Sequence, residues 1–227
     1  MEILKDLIVN SFTKKNLSII IFMDWNKRDC PIFIRLLPGG AGWEDVIIDI
    51  HGNHHEYSVS GCLGDGFGGM VASLYALYPN QNYRGREEGF LVEEGDLCKP
   101  SQAKFIWDEE GQIVEWTLTY QSESQLEIHV EEKDDCSHEL IATHDYTVSY
   151  SDMCYAIGKA LTEAMKVHGF TGFYESVWES DINVRQLCFL KACGLGQPDF
   201  FKPKSGPNSD NDVTSFKDEV ELLLFDM

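Results

Sequence analysis

Between Val114 and Val130 the chain alternates apolar and polar residues with a period of two. Val114, Trp116, Leu118 and Tyr120 are interleaved with Glu115, Thr117 and Thr119; Leu126, Ile128 and Val130 are interleaved with Glu127, His129 and Glu131. Successive side chains of a strand point to opposite faces, so each run buries one face and wets the other, the pattern of an antiparallel sheet covered on one side. Tyr146, Val148 and Tyr150 continue the alternation and predict a further strand. Nearer the N-terminus, Leu17 to Met23 and Pro31 to Leu37 are β-branched-rich runs, the second closed by Pro38-Gly39-Gly40. Trp43 to Ile50 and Glu56 to Ser60 flank His51-Gly52-Asn53-His54, a turn-forming cluster that predicts a hairpin.

Elsewhere the period lengthens. Phe67, Met70, Val71, Leu74, Tyr75 and Tyr78 recur at helical spacing until Pro79. A helix from about Ser151 to His168 places Met153, Ile157, Ala160, Leu161, Ala164 and Met165 on one stripe, with Gly169 at its stop. Another, about Asp181 to Cys193, carries Ile182, Val184, Leu187, Cys188 and Leu190, with Gly194 after it. Asn80 to Ser101 reads as a polar, acid-rich connection, and Gly196 to Asp212 as a loop. Val220 to Phe225 is apolar and would be costly to leave exposed, which predicts that it docks on the body as a strand or short helix. The expected fold class is α+β: a largely antiparallel β-sheet with amphipathic helices packed on one face. The organisation read from the pattern is one domain over residues 1–195, a polar loop or linker over 196–216 and a docking segment over 217–227.

Composition adds mainly charge. Asp and Glu number 38 against 18 Lys and Arg, a formal net charge of −20 over 227 residues. Such a surface repels phosphate, which excludes ordinary nucleic-acid binding and anionic membranes, and it attracts basic proteins. A hydrophobic fraction of 43% is that of a packed globular chain and not of a disordered acidic one. Met1-Glu2-Ile3-Leu4-Lys5-Asp6 carries acids where a secretory signal has a basic start, and Leu17 to Met23 is too short to span a bilayer. The cysteines are seven, spread evenly and without a CxxC. Reduced thiols in the cytoplasm are the expectation.

Local motifs for chemistry fail on inspection. Gly64-Asp65-Gly66-Phe67-Gly68-Gly69 fits the GxGxxG of dinucleotide sites, but the preceding strand is expected in a hairpin, and Asp65 would set a negative charge beside the phosphates. A flexible turn entering an amphipathic helix is the reading kept, with no cofactor. His51, His54 and His55 are close in sequence, as are Cys136, His138 and His144, but neither group has the paired spacing of a zinc site. His138-Glu139 lacks the second histidine of HExxH, since Ala142 stands there. Asn208, Asp210 and Asp212 resemble the start of a calcium loop without its Gly and closing Glu. Loop and turn polarity accounts for all of these, and no metal is expected. There is no GxSxG elbow and no complete phosphate loop.

The order of landmarks does resemble something. Phe105-Ile106-Trp107-Asp108-Glu109-Glu110-Gly111 leads to Trp116-Thr117-Leu118; Leu126-Glu127-Ile128-His129-Val130 follows, then a long helix, Gly169-Phe170 and Phe189-Leu190-Lys191. Over Glu44 to Leu195 this resembles the small acidic bacterial proteins encoded beside polymorphic toxins, the immunity-protein type. That resemblance implies a protein that binds and inhibits a cognate toxin. It carries over no functional residue, because the landmarks are core residues.

The expected function is therefore binding: occlusion of a basic partner, such as a nuclease toxin, by complementary charge and by bulk. Acid clusters predicted in turns and loops supply the candidate contacts: Asp108, Glu109 and Glu110, then Glu131 and Glu132 with Asp134 and Asp135. Two other classes stay open. An enzyme without a local motif would show a deep pocket with convergent acids of perturbed pKa. A structural or regulatory subunit would show a large exposed apolar patch.

Overall fold

A computed structural model describes residues 29–40, 42–78, 102–176, 184–197, 220 and 222–223. The expected strand at Leu17 to Met23, the connection Asn80 to Ser101, the residues Asn208, Asp210 and Asp212, and most of the 196–216 loop lie outside them. The described chain runs β1 (Ile32–Gly40), β2 (Trp43–Ile50), β3 (Asn53–Ser60), α1 (Gly66–Leu77), β4 (Gln102–Asp108), β5 (Gln112–Ser122), β6 (Gln125–Asp134), β7 (Leu140–Val148), α2 (Tyr150–Ser176) and α3 (Val184–Gly194). This is an α+β fold with every strand pairing antiparallel.

The strands divide between two sheets where the sequence pattern predicted one: β1-β2-β3, and the meander β4-β5-β6-β7. Their inner faces meet. Tyr57 of β3 packs edge-on against Trp107 of β4 and Trp116 of β5, with ring centroids 5.4 and 6.1 Å apart. Trp116 stacks in turn on Phe105 at 5.6 Å. The bulk of these aromatics is what lets an edge strand cover part of the larger sheet. The expected cover there was the pair of helices that follow it in sequence; instead α2 lies chiefly along β1 and α3, while α1 rests on β4, β5 and β3. One hydrophobic core joins both sheets to the helices.

Local signals explain several boundaries. The β2–β3 turn is the pair His51-Gly52, both at positive φ (54° and 81°), the geometry of a tight two-residue hairpin. It is shorter than predicted, so β3 starts at Asn53 and takes in His54 and His55. Tyr150 opens α2 and does not end a strand. Ser149 caps that helix: its hydroxyl accepts from Asp152 N at 2.9 Å. Gly169 (φ 70°, ψ 165°) breaks α2 at the predicted stop, after which helix resumes. The last turn of α3 closes with Gly196 N donating to Cys193 O (2.9 Å) and Gln197 N to Ala192 O (2.8 Å), a Schellman motif with Gly196 at φ 68°. Leu222 is buried against Tyr155, Cys188, Ala192 and Leu195, and Lys191 Nζ donates to the Leu223 carbonyl at 3.2 Å. The six cysteines among the described residues are free thiols. No helix among the described residues is long and apolar enough to cross a membrane.

Candidate functional site

The acidic residues singled out from sequence separate into an end of the larger sheet and its two faces. Asp108 closes β4, and its Oδ1 accepts from Glu110 N at 2.8 Å, holding the β4–β5 turn in which Glu110 sits at φ 52°. Asp134 closes β6, and its Oδ1 accepts from Ser137 N (2.7 Å), Ser137 Oγ (2.9 Å) and Cys136 N (3.1 Å). Those donors, Ser137 N–H foremost, hold the Asp134 carboxyl below the usual carboxylate range. Asp135 N donates to Gly111 O at 3.2 Å, joining this turn to the β4–β5 turn. Asp108, Glu109, Glu110, Asp134 and Asp135 therefore share one end of the sheet.

Glu131 and Glu132 do not sit in a turn, as the sequence reading had placed them. They lie within β6, paired with Glu115 and Val114 on one side and Thr143 and Ala142 on the other. Adjacent strand residues face oppositely. Glu131 faces out, 2.9 Å from Lys133 Nζ and 3.6 Å from His129 Nε2. Glu132 faces in, its side chain only 15% exposed.

Around Glu132 a polar cluster occupies the seam between the sheets. The Tyr57 hydroxyl donates to Glu132 Oε1 and Gln112 Nε2 to Glu132 Oε2, each at 3.1 Å. His144 Nε2 lies 3.4 Å from Glu132 Oε1. His55 Nε2 and the Tyr146 hydroxyl share a 2.6 Å hydrogen bond, and the His55 and His144 rings meet edge to face at 4.6 Å. Two contacts flank the cluster: His51 Nε2 donates to Thr147 O (3.1 Å) and Ser58 N to Glu109 Oε1 (2.6 Å). Register explains the convergence. His55 shares the inward face of β3 with Tyr57 and Val59; His144 shares that of β7 with Tyr146 and Val148; Glu132 shares that of β6 with Val130.

Electrostatics follow from this burial. Desolvation lowers the His55 pKa below 6.5, neighbouring His144 lowers it further, and Glu132 pulls the other way. Burial, then the Glu132 charge, pushes the Tyr57 phenol far up and keeps it a donor. Burial also raises the Glu109 carboxyl, against the Ser58 N–H and with help from Glu132. Among the described residues, His55, Glu132 and His144 form a His/Glu set close enough to share an ion: their ligand atoms lie within 4.8 Å of one another. Sequence proximity had grouped these histidines differently. His54 turns outward to Glu56 at 3.0 Å, and Cys136 and His138 are exposed in the β6–β7 turn.

Two further features clarify what the surface can do. The glycine-rich segment serves close packing. A Cβ at Gly64 would lie 2.8 Å from the Ile106 carbonyl, and one at Gly69 would collide with Asp65 Cβ. At the start of α1, Phe67 N donates to the buried carboxylate of Glu44 at 2.9 Å, so a protein carboxylate takes the helix-terminal donor. The outer face of the larger sheet carries an open groove of about 400 Å³ lined by Thr117, Thr119, Glu127, His129, Asp145 and Thr147 among others. His129 Nδ1 meets Asp145 Oδ1 at 2.7 Å, and this bond, with Glu131 opposite, raises its pKa.

Comparison with known protein families, characterised proteins and solved structures finds no match to this chain.

Proposed function

We propose that this chain is a binding protein for a basic protein surface, acting by charge complementarity and steric cover. The carrying observation is the Asp135–Gly111 hydrogen bond, which sets the turns bearing Asp108, Glu109, Glu110, Asp134 and Asp135 side by side. Within segments 108–112 and 134–139 neither Lys nor Arg offsets these acids. Such an edge, on a chain of net charge −20, steers a basic partner to encounter. The immunity-type resemblance makes a basic toxin the partner of choice, inhibited by cover of the surface that holds its anionic substrate. The compartment that fits is the cytosol, in keeping with the odd cysteine count and the free thiols among the described residues.

The structure also sharpens which acids to vary. Glu109, Glu132 and Asp134 hold neighbouring backbone or side chains, whereas Glu110 is exposed and Asp135 partly so; Asp108, also partly exposed, accepts from Glu110 N, an acceptor that Asn retains. The test takes Asp108→Asn, Glu110→Gln and Asp135→Asn together. Association with the product of the neighbouring gene is followed by biolayer interferometry across a salt series. Fields reach only about 8 Å at 0.15 M salt, so wild-type on-rates should fall steeply with salt, and the triple variant should start slower with a shallower slope. An unchanged on-rate and salt slope would remove this edge from the interface. A neighbouring product that is acidic, or that does not bind, would overturn the toxin reading.

A further inference from the structure

We propose that His55, Glu132 and His144 form a binding site for one divalent transition-metal ion of the zinc type. The three residues come from β3, β6 and β7, so both sheets contribute. Zinc binds imidazole nitrogen and carboxylate oxygen at about 2.0–2.2 Å, which in a tetrahedron sets ligand atoms roughly 3.3–3.6 Å apart. His144 Nε2 and Glu132 Oε1 already stand 3.4 Å apart, and all three ligand atoms lie within 4.8 Å of one another. The remaining gap is on the scale of side-chain rotation, since no pair of these ligand atoms stands more than 4.8 Å apart.

The donor chemistry selects the ion. Two imidazoles and one carboxylate suit zinc and its neighbours, whereas magnesium and calcium prefer all-oxygen shells. Three protein ligands leave a fourth position for water or a small anion. All three residues are half-buried, which keeps that position within reach of solvent.

The surroundings are those a metal site needs. Tyr57 and Gln112 each hold an oxygen of the Glu132 carboxylate, and Tyr146 fixes the His55 ring. Partners of this kind orient ligands and raise their affinity. Two imidazoles at 4.6 Å would repel each other if both were protonated, and a shared cation removes that conflict.

The test begins with chelator-stripped protein in a Cys62→Ser, Cys136→Ser background, which removes the exposed thiols seen in the structure. Calorimetric titration with Zn²⁺ should show one saturable equivalent. Co²⁺ should give the visible absorption of nitrogen and oxygen ligation without a thiolate charge-transfer band. His55→Gln with His144→Gln should abolish saturable binding, and Tyr146→Phe should weaken it by about 10-fold or more. Absence of saturable binding, a thiolate band, or full binding by the double histidine variant would overturn the proposal. If that variant does not fold, histidine NMR of the parent protein decides. Zn²⁺ must then move the ring signals of His55 and His144 and leave those of His129 in place; the reverse pattern overturns the site.

Discussion

Glu131 and Glu132 are neighbours of identical chemistry, and the structure predicts that removing them has very different consequences. Glu132→Ala strands the Tyr57 hydroxyl, whose residue is 5% exposed and whose hydroxyl donates to Glu132 Oε1 at 3.1 Å. Leaving a buried donor without a partner costs about 1–3 kcal/mol. Gln112 and His144 also lose a partner, but both are half-buried and can regain water, adding at most about 1 kcal/mol. Relief of the carboxylate's own desolvation works against these losses. The net expectation is a loss of about 2–3 kcal/mol, or roughly 4–12 °C in Tm for a chain of this size. Glu131→Ala breaks an ion pair with Lys133 whose carboxylate side is 34% exposed, and Lys133 keeps Glu115 at 2.6 Å. Exposed pairs contribute about 0–1 kcal/mol. Urea unfolding of the metal-free protein measures both, and Tyr57→Phe supplies the double-mutant cycle: once its hydroxyl is gone, Glu132→Ala should cost less. Equal losses for the two alanine variants, within about 0.5 kcal/mol, would refute the inward placement of Glu132.

The other expectations concern the helix crossing and the histidines. A Cβ at Gly194 would lie 2.7 Å from both Cα and N of Tyr155, so Gly194→Ala should destabilise by about 1–3 kcal/mol through overpacking, whereas an open helical site would gain about 1 kcal/mol. A urea midpoint that rises would show that α2 and α3 do not approach this closely. In the metal-free protein, His55 should titrate below 6.5 and His129 above it by NMR, the first because of burial and the second because of its bond to Asp145. The signs for stability are opposite: the His55 contribution is lost as pH falls from 6.5 through its lowered value, and the His129 contribution is lost as pH rises through its raised value. His55→Gln should therefore flatten the acid limb of the stability profile and His129→Gln the alkaline one; histidines titrating in the reverse order would contradict both environments.

The parts of the fold legible in sequence are those where apolar and polar residues alternate without interruption. Val114 to Tyr120 and Leu126 to Val130 name the inward faces of β5 and β6 residue by residue, and Gly169 marks the break in α2. β4 went unread as a strand because Ile106 faces outward at 38% exposure between Phe105 and Trp107, which masks the period of two. The division into two sheets depends on Tyr57 meeting Trp107 and Trp116 across the core, and no local pattern encodes a contact at that separation. The acidic end was legible as composition. That its two turns touch was not, because the Asp135–Gly111 bond spans two strands.

The inward cluster was hidden for a different reason. Reading a strand as ending at its last apolar residue hands the next polar residues to a turn, and that is how His55, Glu132 and His144 were assigned to solvent. A period-two face does not stop where hydrophobicity stops. His55 stands two positions before Tyr57, His144 two before Tyr146, and Glu132 two after Val130, each on the buried side of a strand that continues past its apolar stretch. Burying a polar side chain there is costly unless it finds partners, so these positions are filled by residues that bond one another across the seam. The same requirement brings imidazoles, a carboxylate and phenols into one place, next to a core that holds them rigid. In an antiparallel fold of this kind, the first polar residues beyond the apolar run on an inward face are where the core gives way to a site.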